Sequence, residues 1–150
     1  MSALLTNPIL VYSAIAWACA QVIKTLIHLL RTHEFDWHLL FSTGGMPSSH
    51  AAYTCSAATA IAFRDGFNSS LFALAVAFAV IVMVDAAGLR RAAGTQATVL
   101  NQIVEELFQG HPISDEKLQE LLGHTPTQVF LGALLGILCP LIGMLWFWGG

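Results

Sequence analysis

The chain has 150 residues, room for one domain or two small ones, with 56% hydrophobic and only 10% charged residues; an average soluble protein carries roughly a quarter charged. A net charge of −3, from 6 Lys+Arg against 9 Asp+Glu, excludes nucleic-acid binding through a basic surface, and the apolar content excludes a disordered chain. A soluble domain of this size cannot hide so much apolar surface, so the composition specifies an integral membrane protein, read as a single membrane domain over residues 1–150.

A helical span takes about 20 residues. The first such run covers 8–31. Residues 1–23 contain no Lys or Arg, and the run is longer than a signal-peptide core, so it is expected to persist as a mature transmembrane helix. Within it Gln21, Lys24, His28 and Arg31 are spaced 3, 4 and 3 apart, which puts them on one helix face. A lysine inside a span is costly and faces a cavity or a partner, unless it snorkels to the interface. The second run, 47–63, opens Gly44-Gly45-Met46-Pro47-Ser48-Ser49-His50. Glycines permit a close backbone, and proline and serine suit a first helical turn. The third run, 70–89, carries Asp85, read as buried about one turn in, and ends at Arg90-Arg91.

Residues 95–109 follow, with Leu100, Ile103, Val104, Leu107 and Phe108 at helical spacing; they predict an amphipathic helix lying on the membrane or the bundle. Gly110-His111-Pro112 ends it, and Ser114-Asp115-Glu116-Lys117 starts a second short helix. The last run, 126–148, opens Gly123-His124-Thr125-Pro126, a capping threonine before a first-turn proline. Cys19, Cys55 and Cys139 all lie in apolar runs, none in a Cys-x-x-Cys pair, and read as small buried or lipid-facing residues. The expected fold class is an all-α integral membrane bundle of about four transmembrane helices plus one or two amphipathic interfacial helices.

Four crossings bring the unusual polar residues to one end. Lys24, His28, Arg31, His50, Asp85, Arg90, Arg91 and His124 all fall there, against Arg64 and Asp65 at the other. Two helix N-termini, each with a histidine, would point their positive dipole ends the same way, which suits an anion. Arginine's planar donor fork suits phosphate oxygens. Asp85 would orient a histidine or pair with Lys24. Together these parts form a phosphate cradle in which one histidine attacks phosphorus and the other protonates a leaving alcohol. Clustered histidines also raise a metal site, but the chain lacks a His-x-x-x-His pair or acidic ligand pattern near them, and no metal is expected.

Gly44 to Ala52, then Val84 to Arg91 and Ala93 to Ala97, then Leu121 to Pro126, resemble the divergent branch of the type 2 phosphatidic acid phosphatase family. The resemblance reaches from Gln21 to about Ile137. The parent superfamily, with acid phosphatases and vanadium haloperoxidases, has three blocks: Lys-x6-Arg-Pro, Pro-Ser-Gly-His and Ser-Arg-x5-His-x3-Asp. Lys24 and Arg31 match the first, with Thr32 in place of its proline. Pro47, Ser48 and His50 match the second, with Ser49 in place of its glycine. In the third, Arg90 or Arg91 takes the arginine role far from His124, and Gln128 stands where the orienting aspartate would be, with Asp85 as a substitute.

The resemblance implies a phosphoric monoester hydrolase without cofactor that works through a phosphohistidine. His124 would be the nucleophile and His50 the general acid, then the base for water. Lys24, Arg31, Ser48, Ser49, Arg90 and Arg91 would hold the phosphoryl oxygens. The implied substrate is a lipid phosphate entering from one leaflet, phosphatidylglycerophosphate first, with phosphatidic acid and polyprenyl pyrophosphate as alternatives. Other classes remain open: a non-catalytic membrane scaffold, or a small ion or proton transporter using Lys24 and Asp85. A homodimer through Gly132 and Gly136 would complete the packing. Lys24, Arg31, Arg90, Arg91 and Lys117, 5 of the 6 cations, lie at the end with the histidines; the positive-inside rule puts that end in the cytoplasm, in the cell (inner) membrane.

Overall fold

The computed structural model describes residues 6–40, 45–107 and 124–147, without the side chains of 89–95, 97, 98, 102, 105–107 and 145–147. All regular structure among them is helical: α1 (Pro8–Thr32), a 3₁₀ turn (Trp37–Leu40), α2 (Ser49–Asp65), α3 (Ser70–Leu107) and α4 (Pro126–Phe147). Local chemistry sets the ends. Asn7 caps α1 by accepting from the Ile9 N–H at 3.0 Å, ahead of a first-turn proline. His33, left-handed at φ 58°, closes it by donating its N–H to Leu29 O. Ser48 caps α2, and Gly66, at φ +90°, ends it. The Ser69 hydroxyl accepts from the Phe72 N–H to start α3.

Three helical stretches are long and apolar enough to cross a membrane: Pro8–Thr32, Ser70–Gly88 and Pro126–Met144. α2 differs from them. It has 17 residues, ten of them buried, and the other three helices pack mainly against it. Its sequence explains this position. Alanines and serines let three neighbours approach a thin helix closely, and an inner helix needs small residues more than hydrophobic ones.

Residues 95–107 do not form a separate interfacial helix. They continue α3, which runs unbroken for 38 residues through Gly88 and Gly94. At about 1.5 Å per residue this helix is roughly 57 Å long, well beyond the ~30 Å hydrocarbon core, so its second half extends past the apolar segment. Residue 108 onward, including the second short helix expected at Ser114, lies outside the described residues.

α2 and α4 start at the same end and run parallel. A Cβ at Gly132 would strike the Ser48 carbonyl oxygen and come within 3.1 Å of the Ala51 Cβ; one at Gly136 would strike the Ala52 carbonyl and come within 3.0 Å of the Cys55 Cβ. The small-residue face of α4 is therefore occupied inside the chain, by α2. This corrects the expectation that Gly132 and Gly136 serve a homodimer. α1 runs the opposite way along α4, with the Cys139 Sγ 3.7 Å from Tyr12 O and the Tyr12 ring closing over Gly143. Ala16, Ala20 and Ala52 form the small-residue core where α1 meets α2, with Leu135 and Cys139 of α4 packed on it.

Candidate functional site at the paired helix N-termini

Two parallel helices that begin side by side present two positive dipole ends and two sets of first-turn N–H groups together. Here the two starts are bonded: the Ser48 N–H donates to Gln128 O at 3.0 Å. The rings of His50, in the first turn of α2, and His124, just before α4, are 6.3 Å apart between centroids and inclined at 61°. Thr54 donates its hydroxyl to His50 O at 2.9 Å, and the His124 N–H donates to Ala86 O at 3.2 Å, so α3 anchors the residue that leads into α4. His124 is only 3% exposed, as is Lys24.

Lys24 lies on the inward face of α1 with Gln21, and its ammonium donates to Gln21 Oε1 at 2.6 Å. Burial rules out the snorkelling alternative. The segment leading into α2 covers it: a Cβ at Gly45 would come within 2.9 Å of Lys24 Cγ and 3.0 Å of Cδ. Gly45 also has φ +90°, where a side chain is strained. Space and backbone angle together require glycine over the lysine stem. The Met46–Pro47 peptide that follows is cis. Ser48 and Ser49 are buried, and the Ser48 hydroxyl accepts from the Ala51 N–H at 3.4 Å.

The side chain bonded to the His124 ring is Gln128. Its Oε1 accepts from the Thr125 N–H at 3.0 Å while the Thr125 hydroxyl accepts from the Gln128 N–H at 3.3 Å, a reciprocal capping box. The same Oε1 lies 3.2 Å from His124 Nδ1. An amide oxygen only accepts, and the backbone N–H fixes which amide atom stands there. Nδ1 must therefore donate, and Nε2 of the neutral ring carries the lone pair. The glutamine at the position of the expected orienting aspartate thus makes an acceptor contact to Nδ1 without a charge. The signal was legible as Thr-x-x-Gln at a helix start, but its reach to the preceding histidine was not.

Asp85 is not buried, contrary to expectation. It is exposed on α3, and Ala86, one residue or about 100° further round, is the position turned inward. Arg31 is exposed at the C-terminal end of α1. Arg90 and Arg91 fall within α3 one turn past Ala86, with side chains outside the described residues. Among the described residues no group of three His, Cys, Asp or Glu side chains converges as a metal site would need.

Residues 5–139 match a family described as the Divergent PAP2 family, PAP2 denoting type 2 phosphatidic acid phosphatase. The chain is also 45% identical over 150 residues to the "Uncharacterized membrane protein YuiD" of Bacillus subtilis (strain 168), covering 93% of this chain and 95% of that one. No solved structure matches. With three helices apolar and long enough to span, a membrane-protein relative and a family match over residues 5–139, this chain is a PAP2-like membrane protein and belongs to the divergent PAP2 family.

Proposed function

We propose that the protein is a metal-independent lipid phosphate phosphatase. The observation that carries this reading is the His50–His124 pair, 6.3 Å apart at the bonded N-termini of α2 and α4. His124 Nε2 attacks phosphorus, forming a P–N bond as the P–O bond to the lipid alcohol breaks. His50 gives its proton to the leaving oxygen, then takes one from the water that cleaves the P–N bond. Lys24 and the first-turn N–H groups of α2 hold the oxygens of the transferring group, whose spread charge makes such donors most effective in the transition state. Arg31, Arg90 and Arg91 extend the cationic lining. The orienting role expected of Asp85 passes to Gln128. In this reading the chain is one four-span membrane domain with α2 as its inner span, in the cell membrane with the site toward the cytoplasm.

The test is phosphate release from phosphatidylglycerophosphate in detergent micelles, with phosphatidic acid and a polyprenyl pyrophosphate beside it. Release that persists in chelator supports the reading. No release from any of the three sinks it and turns attention to a scaffold or an ion transporter.

The Gln128 geometry makes a separate prediction. Gln128→Leu removes the acceptor for Nδ1–H and frees the wrong tautomer, lowering kcat roughly 10- to 100-fold, the range seen when an orienting partner is lost at a metal-bound histidine. Gln128→Glu keeps an acceptor and adds a charge that favours a protonated ring, so activity is retained and the acid limb of the pH–rate profile moves to higher pH. Equal losses in both variants with an unshifted profile would leave Gln128 only its capping role.

A further inference from the structure

A lysine about two turns from the end of a membrane helix can extend its stem outward and leave its ammonium at the interface. Lys24 does the opposite. Its stem turns back toward the start of α1, the direction in which helical side chains lean, and its ammonium donates to Gln21 Oε1 at 2.6 Å, one turn earlier. Both residues are buried, Gln21 at 4% and Lys24 at 3% exposure. We propose that Gln21 is a positioning residue: its amide oxygen holds the Lys24 ammonium at the depth of the histidines without neutralising it. The inference rests on the phosphatase reading for what that charge does, and on the contacts of α1 for where it is held.

The packing of α1 on α2 sets the depth. Ala16 and Ala20 form one cluster with Ala52, two residues into α2 from His50. The two helices run in opposite directions, so Gln21, next to Ala20, is level with the start of α2. An ammonium bonded to Gln21 stays at that level, whereas one extended past Lys24 toward Arg31 would leave it. The stem is pinned as well as the head. The backbone at Gly45, three residues before the Ser48 cap, lies against it, so that a Cβ there would come within 2.9 Å of Lys24 Cγ, 3.0 Å of Cδ and 3.6 Å of Cε. The segment that leads to His50 therefore also holds the lysine. The choice of an amide is chemical. An ammonium only donates, so the amide atom facing it is the oxygen. A carboxylate in its place would make the same bond and cancel the charge that a phosphoryl group needs.

The experiment measures grip and rate separately, on the full chain in detergent micelles. The only lysines are Lys24 and Lys117, so labelling with a water-soluble amine reagent, mapped by peptide, reads Lys24 by itself. Gln21→Leu should release the ammonium toward the interface and raise Lys24 labelling several-fold. It should lower kcat about 10-fold or more, part of the roughly 10²–10³ lost when one such donor is removed outright. In a Lys24→Met background the same change should add nothing. Gln21→Glu should keep Lys24 protected and the thermal midpoint at or above that of the wild type, yet still lower kcat, because the carboxylate cancels the charge. A glutamine with only a structural role would be replaced by glutamate without loss. Full activity in Gln21→Glu, or unchanged labelling in Gln21→Leu, overturns the proposal; Gln21→Met serves if the leucine variant does not fold. Labelling needs no turnover. The expected labelling without phosphate release from the wild type would refute the phosphatase and keep the grip on the ammonium, whereas phosphate release that Gln21→Leu leaves intact would do the reverse.

Discussion

His124→Ala is expected to bring phosphate release down to background, a loss of at least about 10³-fold, because it removes the imidazole that forms the P–N bond in the proposed mechanism. The protein should stay folded, since the backbone N–H of residue 124 still donates to Ala86 O. His50→Ala behaves differently. A general acid typically contributes about 10²–10⁴-fold when the leaving group is a poor one. For a lipid phosphate, whose leaving group is an alkoxide, the full loss is expected. For an activated aryl phosphate, whose phenolate leaves without a proton, the first phosphoryl transfer should survive in His50→Ala as a burst of phenol followed by slow turnover, and be absent in His124→Ala. Burst-phase phenol release from the aryl phosphate reads this directly. Equal losses for both variants on the aryl phosphate would remove the assignment of acid and nucleophile.

Gly132→Ala is expected to harm the whole molecule, because the new methyl would meet the Ser48 carbonyl, a backbone atom that cannot swing aside. The parallel helices must move apart, which costs about 1–3 kcal/mol as overpacking and strains the Ser48–Gln128 bond that joins their N-termini. Thermal unfolding in detergent should show a lowered midpoint, and phosphate release should fall with it as His50 is drawn from His124. Gly88→Ala is the control. A Cβ there meets nothing within 4 Å, and in a helix interior alanine is favoured over glycine by about 1 kcal/mol, so the midpoint should hold or rise. An unchanged midpoint in Gly132→Ala would show that α2 and α4 do not touch as described.

Features set by short-range interactions are legible in the sequence, and those set by long-range contacts are not. The helix starts at Pro8, Ser70 and Pro126 follow from caps, first-turn prolines and the length of the apolar runs, all local features. The inward side of Gln21 and Lys24, though not of Arg31 at the end of the same stripe, follows from helical periodicity, and the convergence of His50 and His124 from a count of crossings. The continuity of α3 did not: a polar stretch after an apolar run looks like a boundary, and neither Gly88 nor Gly94 breaks a helix that neighbours support.

The residues read differently are those whose role depends on what packs opposite them. Asp85 and Ala86 are adjacent in sequence, and only the rotation of α3 against the bundle turned Ala86 inward. Gly132 and Gly136 announce a close helix contact in sequence, yet whether the partner is a second copy or α2 is a choice made by the chain's own topology. Gln128 looks like a missing charge until Thr125 and His124 are seen to share its oxygen. By itself the sequence determined a membrane bundle with two histidine-bearing helix starts at one end, because hydropathy, period and capping are properties of short stretches. Only the tertiary structure decided that α2 lies inside and that it runs beside α4 with bonded N-termini, because those contacts join residues some 80 positions apart, such as Ser48 and Gln128.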